Sequence, residues 1–117
     1  MKILLINNSL ETQEIIHYIL KEYTKIDIHH AKDGLEGIEA AQQDKFDLIL
    51  THYQIPRIKS EHFLKAVRRG GEINQQTPII FIGSSTDDLQ IERVSFISKP
   101  FSFKQISSCL KSAKIAA

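Results

Sequence analysis

The run Ile3–Ile6 is apolar at every position, and two further short runs of similar character follow at Leu48–Thr51 and Pro78–Ile82. A strand with one face in water alternates apolar and polar residues, so a continuously apolar strand predicts burial on both faces. Sheets buried on both faces are mostly parallel, because crossover helices cover them. These runs therefore predict an α/β protein with a parallel sheet between two layers of helices.

Two more strands are predicted at Ile26–His30 and Val94–Ser98, and amphipathic stretches alternate with the five runs. At helical spacing, the apolar positions are Ile16, Ile19, Leu20 and Tyr23 in the first stretch, Leu35, Ile38 and Ala41 in the second, Phe63, Leu64 and Val67 in the third, and Phe103, Ile106 and Leu110 in the last, Phe103–Ala113. Such spacing places apolar side chains on one face of a helix.

Helix boundaries are also visible in the sequence. Ser9 and Ser60 are predicted N-caps, because a serine hydroxyl can accept a hydrogen bond from a free N–H of the first turn. Asp33-Gly34 predicts a turn into the second helix. The third helix is expected to end near Gly70-Gly71, since glycine is common just after a helix.

Five strands alternating with helices favour one flavodoxin-like domain spanning residues 1–117, a three-layer, doubly wound sheet with strand order 2-1-3-4-5. In such sheets functional groups gather at the carboxyl ends of the strands. The residues at those ends are Asn7, Asn8, His52, Gly83, Ser84 and Lys99. We therefore expect them to lie along one edge of the sheet.

Composition limits the class of protein. The 117 residues are 42% hydrophobic and 25% charged, which is ordinary for a globular domain. No apolar run approaches the roughly 20 residues of a membrane span, and the N-terminal one is too short for a signal peptide, so we expect a cytoplasmic protein. A single cysteine, Cys109, excludes an internal disulfide.

Charge is distributed unevenly along the chain. Residues 1–56 carry 5 basic and 9 acidic side chains, net −4, whereas residues 57–117 carry 10 basic and 5 acidic side chains, net +5. A basic half suits docking on an acidic protein surface, although a solvated helix face is the simpler interpretation. We expect a protein partner rather than direct contact with nucleic acid or membrane.

Five segments, in order and at nearly the expected spacing, resemble the receiver domains of two-component response regulators, the CheY-like family. They are Lys2–Asn8, Ala31–Gly37, Asp47–Pro56, Thr77–Ile80 and Ser98–Phe101. The resemblance covers essentially the whole chain. It implies the flavodoxin-like fold and a role in signal transduction.

The same resemblance implies that the phosphorylation pocket has lost its acidic residues. In the family, two carboxylates after strand 1 and a phosphoacceptor aspartate after strand 3 hold Mg²⁺; the matching residues here are Asn7, Asn8 and His52. A hard divalent cation prefers anionic oxygen ligands. We therefore expect no metal, no cofactor and no enzymatic activity. His29 and His30 point to opposite faces of a strand and are not expected to share an ion.

The other pocket positions match in part. Gly83 stands where the family usually has a switch hydroxyl, with Ser84 next in line, while Lys99 matches the family lysine. The resemblance also implies a cis peptide bond before Pro100. Fifteen residues separate Gly83 from Lys99, fewer than receiver domains usually have, so the resemblance implies a shortened helix 4.

The expected function is that of a degenerate (pseudo-) receiver that binds a protein partner independently of phosphorylation. The partner would be a histidine kinase, another regulator or an effector, and a homodimer is left open. The expected interaction face consists of Phe96, Lys104, Lys111 and Lys114. Two alternatives remain: a phosphotransfer protein phosphorylated on His52, and a receiver fragment of a larger transcriptional regulator. For His52 itself, hydrogen bonding to Asn7, Asn8 or Lys99 is favoured over phosphorylation.

Overall fold

The computed structural model describes residues 2–7, 9–21, 26–52, 58–82 and 94–97. For residues 94–97, and for Ile19 and Ser60, only the backbone is described. Several predictions fall outside these ranges: the shortened helix 4, the last helix Phe103–Ala113, and the positions of Tyr23, Ala113 and Pro100.

The elements follow the predicted alternation of strands and helices. They are β1 Lys2–Ile6, α1 Leu10–Leu20, β2 Asp27–Ala31, α2 Gly34–Gln43, β3 Leu48–His52, α3 Ser60–Arg68, β4 Ile79–Ile82 and β5 Val94–Ile97. Each strand lies within one residue of its predicted bounds. Apolar patterning therefore predicted the placement of these strands closely.

The strands form one parallel sheet in the order β2-β1-β3-β4-β5. In the centre, Ile6 of β1 is paired with Thr51 of β3, and His52 of β3 with Ile82 of β4. Because all these strands run in the same direction, their carboxyl ends meet at one edge. The predicted parallel α/β architecture is confirmed.

Two apolar clusters cover the two faces of the sheet. One contains Ile3 and Leu5 of β1 packed with Ile16 and Leu20 of α1. The other includes Leu4 and Ile6 of β1, together with residues of the helices on the opposite face, Ala41, Phe63 and Val67. Neighbouring residues of β1 thus enter different cores, which explains why this strand is apolar at every position.

Two predicted helix starts are formed by side chains that accept hydrogen bonds. Ser9 caps α1 by accepting from the backbone N–H of Thr12, with 3.3 Å between the atoms. Asp33 caps α2 through Oδ1, which accepts from the backbone N–H of Glu36 at 2.9 Å. Both residues stand just before the helix in extended backbone, the usual conformation of an N-cap.

Two details of the helix predictions were wrong. Ser60 is the first residue of α3 and not its cap; Lys59 takes the N-cap position without a side-chain hydrogen bond. Leu35 was placed on the apolar face of α2 but is 44% exposed. The fully buried residues of α2 are Gly34, Gly37 and Ala41. At Gly37 the helix lies so close to the sheet that an added Cβ would come within 2.5 Å of Cδ1 of Ile6.

Candidate functional site

The carboxyl edge of the sheet brings Asn7 and His52 together. Asn7 follows Ile6, whose partner on β3 is Thr51, so the next position along β3 is His52. Neighbouring strands of a sheet are about 4.8 Å apart. The predicted adjacency of these two strand-end residues is therefore present in the structure.

Asn7 is held in place at this edge by two hydrogen bonds and is only 1% exposed. Its backbone N–H donates to the carbonyl of Ala31 at 3.0 Å. Its side-chain Oδ1 accepts from Nε2 of Gln13 on α1, also at 3.0 Å. The Nδ2 atom is buried and has no hydrogen-bond partner among the described residues. Two neutral amides, those of Asn7 and Gln13, thus meet at the buried carboxyl end of β1.

His52 is the last residue of β3 and is half-buried. The hydroxyl of Thr51 donates to the carbonyl oxygen of His52 at 3.1 Å, and the Nε2 atom of the imidazole is buried. The favoured hypothesis of a hydrogen bond to Asn7, Asn8 or Lys99 stays a prediction, because Asn8 and Lys99 lie outside the described residues. Gly83 and Ser84, which follow β4, lie outside them as well.

The side-chain atoms of the described residues at this edge are not suitable ligands for Mg²⁺. The ion prefers oxygen ligands, carboxylates above all, in near-octahedral geometry. Asn7 offers a neutral Oδ1 that already accepts from Gln13, and His52 offers nitrogen atoms. Asp33 follows β2 at the same edge, but its Oδ1 caps α2. The described residues at this edge therefore lack the ligand set of a magnesium site.

Gln13 was not identified from the sequence. It lies at the end of the first turn of α1, six residues after Asn7, and only the return of the helix over the sheet brings the two amides together. The Ser9 cap orients this first part of α1. The sequence signal that could have identified Gln13 is its position as a polar residue on the side of the amphipathic helix that faces the sheet.

The described residues contain neither a cluster of metal ligands nor a membrane-spanning helix. No group of three or more His, Cys, Asp or Glu side chains in that part of the chain is arranged to hold a metal ion. Within the same ranges, no helix is both long and apolar enough to cross a membrane.

Comparison with protein families decides the affiliation of the chain. A family model described as the response regulator receiver domain matches residues 3–111. The chain belongs to this receiver family. Receiver domains act in two-component signal transduction, as the sequence resemblance implied.

The relatives of this receiver include transcriptional regulators. It is 32% identical over 108 residues to the transcriptional regulatory protein YcbL of Bacillus subtilis, covering 87% of this chain and 45% of that one. It is 31% identical over 112 residues to the transcriptional regulatory protein HprR of Escherichia coli, covering 91% and 48%. The receiver thus spans about half the length of these two relatives.

Solved structures agree on the fold. The chemotaxis response regulator CheY4 of Vibrio cholerae superimposes with a TM-score of 0.80 at 23% identity, covering 96% of this receiver and 97% of that chain. The receiver domain of the sensor histidine kinase PA1611 from Pseudomonas aeruginosa, a structure with a magnesium ion coordinated in the active site cleft, has a TM-score of 0.78 at 19% identity, with 97% of both chains covered. At these identities the likeness establishes the CheY-like flavodoxin fold alone.

Proposed function

We propose that this chain is a pseudo-receiver, which keeps the receiver fold but acts by protein–protein interaction without being phosphorylated. One observation carries the proposal: the Gln13 amide bonded to Asn7 at the buried end of β1, beside His52 at the end of β3. An acyl phosphate can form only on a carboxylate, and His52 stands at the acceptor position. Non-enzymatic, cytoplasmic action as an adaptor or docking subunit follows from this proposal.

Electrostatics supports the same conclusion. Phosphoryl transfer depends on cations that neutralise the phosphoryl oxygens and on a positioned nucleophile. An Asn7 carboxamide and a His52 imidazole supply no negative charge to attract Mg²⁺. Phosphorylation of His52 itself would lack that electrostatic support. Protein binding without phosphorylation is therefore the better supported of the two functions.

The proposed interaction face lies along β5 and the residues after it: Phe96, Lys104, Lys111 and Lys114. Phe96 is paired with Phe81 in the register of β4 and β5, and the basic residues lie outside the described ranges. From Arg93 to the C-terminus the chain has five basic residues and no acidic one. An acidic surface on a kinase, regulator or effector would complement this charge. A shortened helix 4 and a cis bond before Pro100 belong to the same proposal.

The test compares the natural protein with a variant in which the acidic pocket is rebuilt. Amide NMR spectra are recorded during titration with Mg²⁺ and then with acetyl phosphate, and intact mass is measured afterwards. We expect neither saturable shifts at Asn7 and His52 nor a phosphoryl mass gain. The triple variant Asn7→Asp, Asn8→Asp and His52→Asp should gain saturable Mg²⁺ shifts, which shows that the assay detects a working pocket.

Phosphorylation of the natural protein would contradict the proposal. If that mass gain were acid-labile and absent in His52→Ala, the chain would be a phosphohistidine carrier instead. Partner capture provides a second readout, because a pseudo-receiver binds its partner equally with and without acetyl phosphate. The charge-reversal variant Lys104→Glu with Lys111→Glu should weaken that capture, whereas Lys59→Glu with Lys65→Glu, at exposed positions at the start of α3 and within it, should not.

The lengths of the relatives favour a second candidate, namely that the receiver controls transcription. Two transcriptional regulators match the chain over about half of their own length. In this case the domain acts on a DNA-binding unit, in the same or another polypeptide. Chromatin capture with the tagged natural protein would enrich specific promoters, and uniform background recovery would contradict this candidate.

A further inference from the structure

Two exposed histidines from different elements meet beside the edge strand. His17 lies in the last turn of α1 and His30 lies on β2. Their Nε2 atoms are 2.9 Å apart, and both side chains are exposed. Neither histidine is one of the strand-end residues, such as Asn7 and His52, that form the candidate site described above.

A hydrogen bond with a single proton links the two imidazole rings. The ring centroids are 5.1 Å apart and the ring planes differ by 21°, so the two Nε2 atoms face each other nearly in line. In the neutral pair one Nε2–H donates and the other Nε2 accepts. If the donating ring moves its proton to Nδ1, both Nε2 lone pairs become available and no net proton is lost.

Distances indicate which ions such a pair would hold. Imidazole nitrogens bind metals at about 2.0–2.1 Å. With Nε2 atoms 2.9 Å apart, two bonds of that length subtend about 90° at the ion. This is the angle between neighbouring ligands in tetragonal or octahedral geometry, whereas a tetrahedral ion needs the nitrogens farther apart.

We propose that His17 and His30 form a two-imidazole binding site for Cu²⁺ or Ni²⁺, with water in the remaining coordination positions. Each ring must turn by about 45° from the in-line arrangement for both lone pairs to point at one ion, and exposed side chains can make this movement. Water completes the shell because the described residues provide no group of three ligands. His29 faces the other side of β2, where its ring centroid lies 5.8 Å from that of Phe46.

A bound ion would tie α1 to the edge strand of the sheet. His17 and His30 are held together only by the fold, so the unfolded chain offers separate, weaker ligands. Binding to the folded state alone raises the melting temperature in proportion to the logarithm of ion concentration over Kd. Metal binding at this pair is therefore coupled to stability.

The experiment titrates the natural protein with CuCl₂, NiCl₂ and ZnCl₂ and follows both heat of binding and melting temperature. We expect one bound ion, a Cu²⁺ electron paramagnetic resonance spectrum with two nitrogen ligands, and tighter binding of Ni²⁺ than of Zn²⁺. His17→Gln and His30→Gln should each weaken metal binding by about tenfold or more, because the remaining imidazole binds the ion without a second ligand already positioned beside it. Circular dichroism confirms that these surface variants fold.

The matched controls are His29→Gln, one residue away on the opposite side of β2, and His62→Gln, exposed on α3. Both should bind Cu²⁺ and Ni²⁺ as the natural protein does. Equal losses in control and test variants, a single nitrogen ligand, or tighter binding of Zn²⁺ than of Ni²⁺ would each overturn the proposal.

Discussion

The side-chain amide of Gln13 donates a hydrogen bond to Oδ1 of Asn7, with 3.0 Å between the two atoms. The bond connects α1 to the end of β1 at a position that is 1% exposed. A buried acceptor that loses its donor keeps the cost of its desolvation. The contact therefore helps to fix the side chain of Asn7 at the carboxyl edge of the sheet.

Replacing Gln13 with Ala should lower the free energy of unfolding by about 1 kcal/mol, because Oδ1 of Asn7 is left without this donor. Urea unfolding followed by circular dichroism measures the change. Gln42→Ala, at an exposed position of α2, makes the same substitution in a helix and should change stability little. Equal effects at the two positions would mean that the Gln13–Asn7 bond contributes nothing.

Gly37→Ala should destabilise the domain although alanine is the better helix former. An added Cβ would lie 2.5 Å from Cδ1 of Ile6 and 3.2 Å from Cε1 of Phe63. Overpacking costs about 1–3 kcal/mol, against a gain of about 1 kcal/mol in helix propensity. Thermal or urea unfolding of the variant gives the net value.

A second substitution identifies the atom responsible for this clash. Ile6→Val removes Cδ1 and alone costs about 0.5–1.5 kcal/mol. Combined with Gly37→Ala, it should cost less than the two single losses added together, since the pair is in contact. Additive losses would show that the clash with Ile6 is not the cause.

Asn74→Ala should lower the free energy of unfolding by at least about 2 kcal/mol, because several buried partners lose hydrogen bonds at once. Nδ2 of Asn74 donates to the carbonyls of Ala41 and Asp44 at 2.6 and 2.8 Å. Its Oδ1 accepts from the N–H of Phe46 at 2.8 Å and from the hydroxyl of Thr77 at 2.9 Å. Asn74 thus links the loop before β4 to the connection between α2 and β3. Chemical denaturation quantifies the loss.

The matched control for that variant is Gln75→Ala, since Gln75 is exposed and contributes a backbone carbonyl, which accepts from Nη1 of Arg68. The control should stay close to the natural stability. A small effect of Asn74→Ala would mean that water replaces the lost bonds.

Stability should fall as the pH is lowered through the range just below neutrality. Partial desolvation of the His30 ring, and then the charges of His17 and His29, lower the pKa of His30 from its ordinary value of 6.5. The unfolded chain therefore binds more protons than the folded one, and the contribution present above pH 6.5 is lost as the pH falls through the lower, folded-state pKa. Urea unfolding in chelator at several pH values measures the slope.

His30→Gln should flatten this pH dependence, because it removes the group with the lowered pKa. His62→Gln, at an exposed position of α3, should keep the natural slope. An unchanged slope in His30→Gln would assign the pH dependence to other groups.

The local features of the fold were predictable because each depends on a few neighbouring residues. Continuous apolar runs indicated the strands, since every side chain of a doubly covered strand must leave water. Ser9 indicated a helix start, because a cap needs only one side-chain oxygen three residues before an N–H. Asp33-Gly34 indicated the turn into α2. Leu35 and Ser60 were misplaced, because the approach of α2 to the sheet and the backbone path before α3 are set by packing with distant residues.

By itself the sequence determined the α/β class, the parallel sheet, the receiver family and the residues that stand at the ends of β1 and β3. These follow from periodicity, residue type and order, all of which are local properties. Only the tertiary structure decided that Gln13 bonds to Asn7 and that His17 meets His30. Each of those contacts joins a helix to a strand, and the distance between them depends on how the whole apolar core packs.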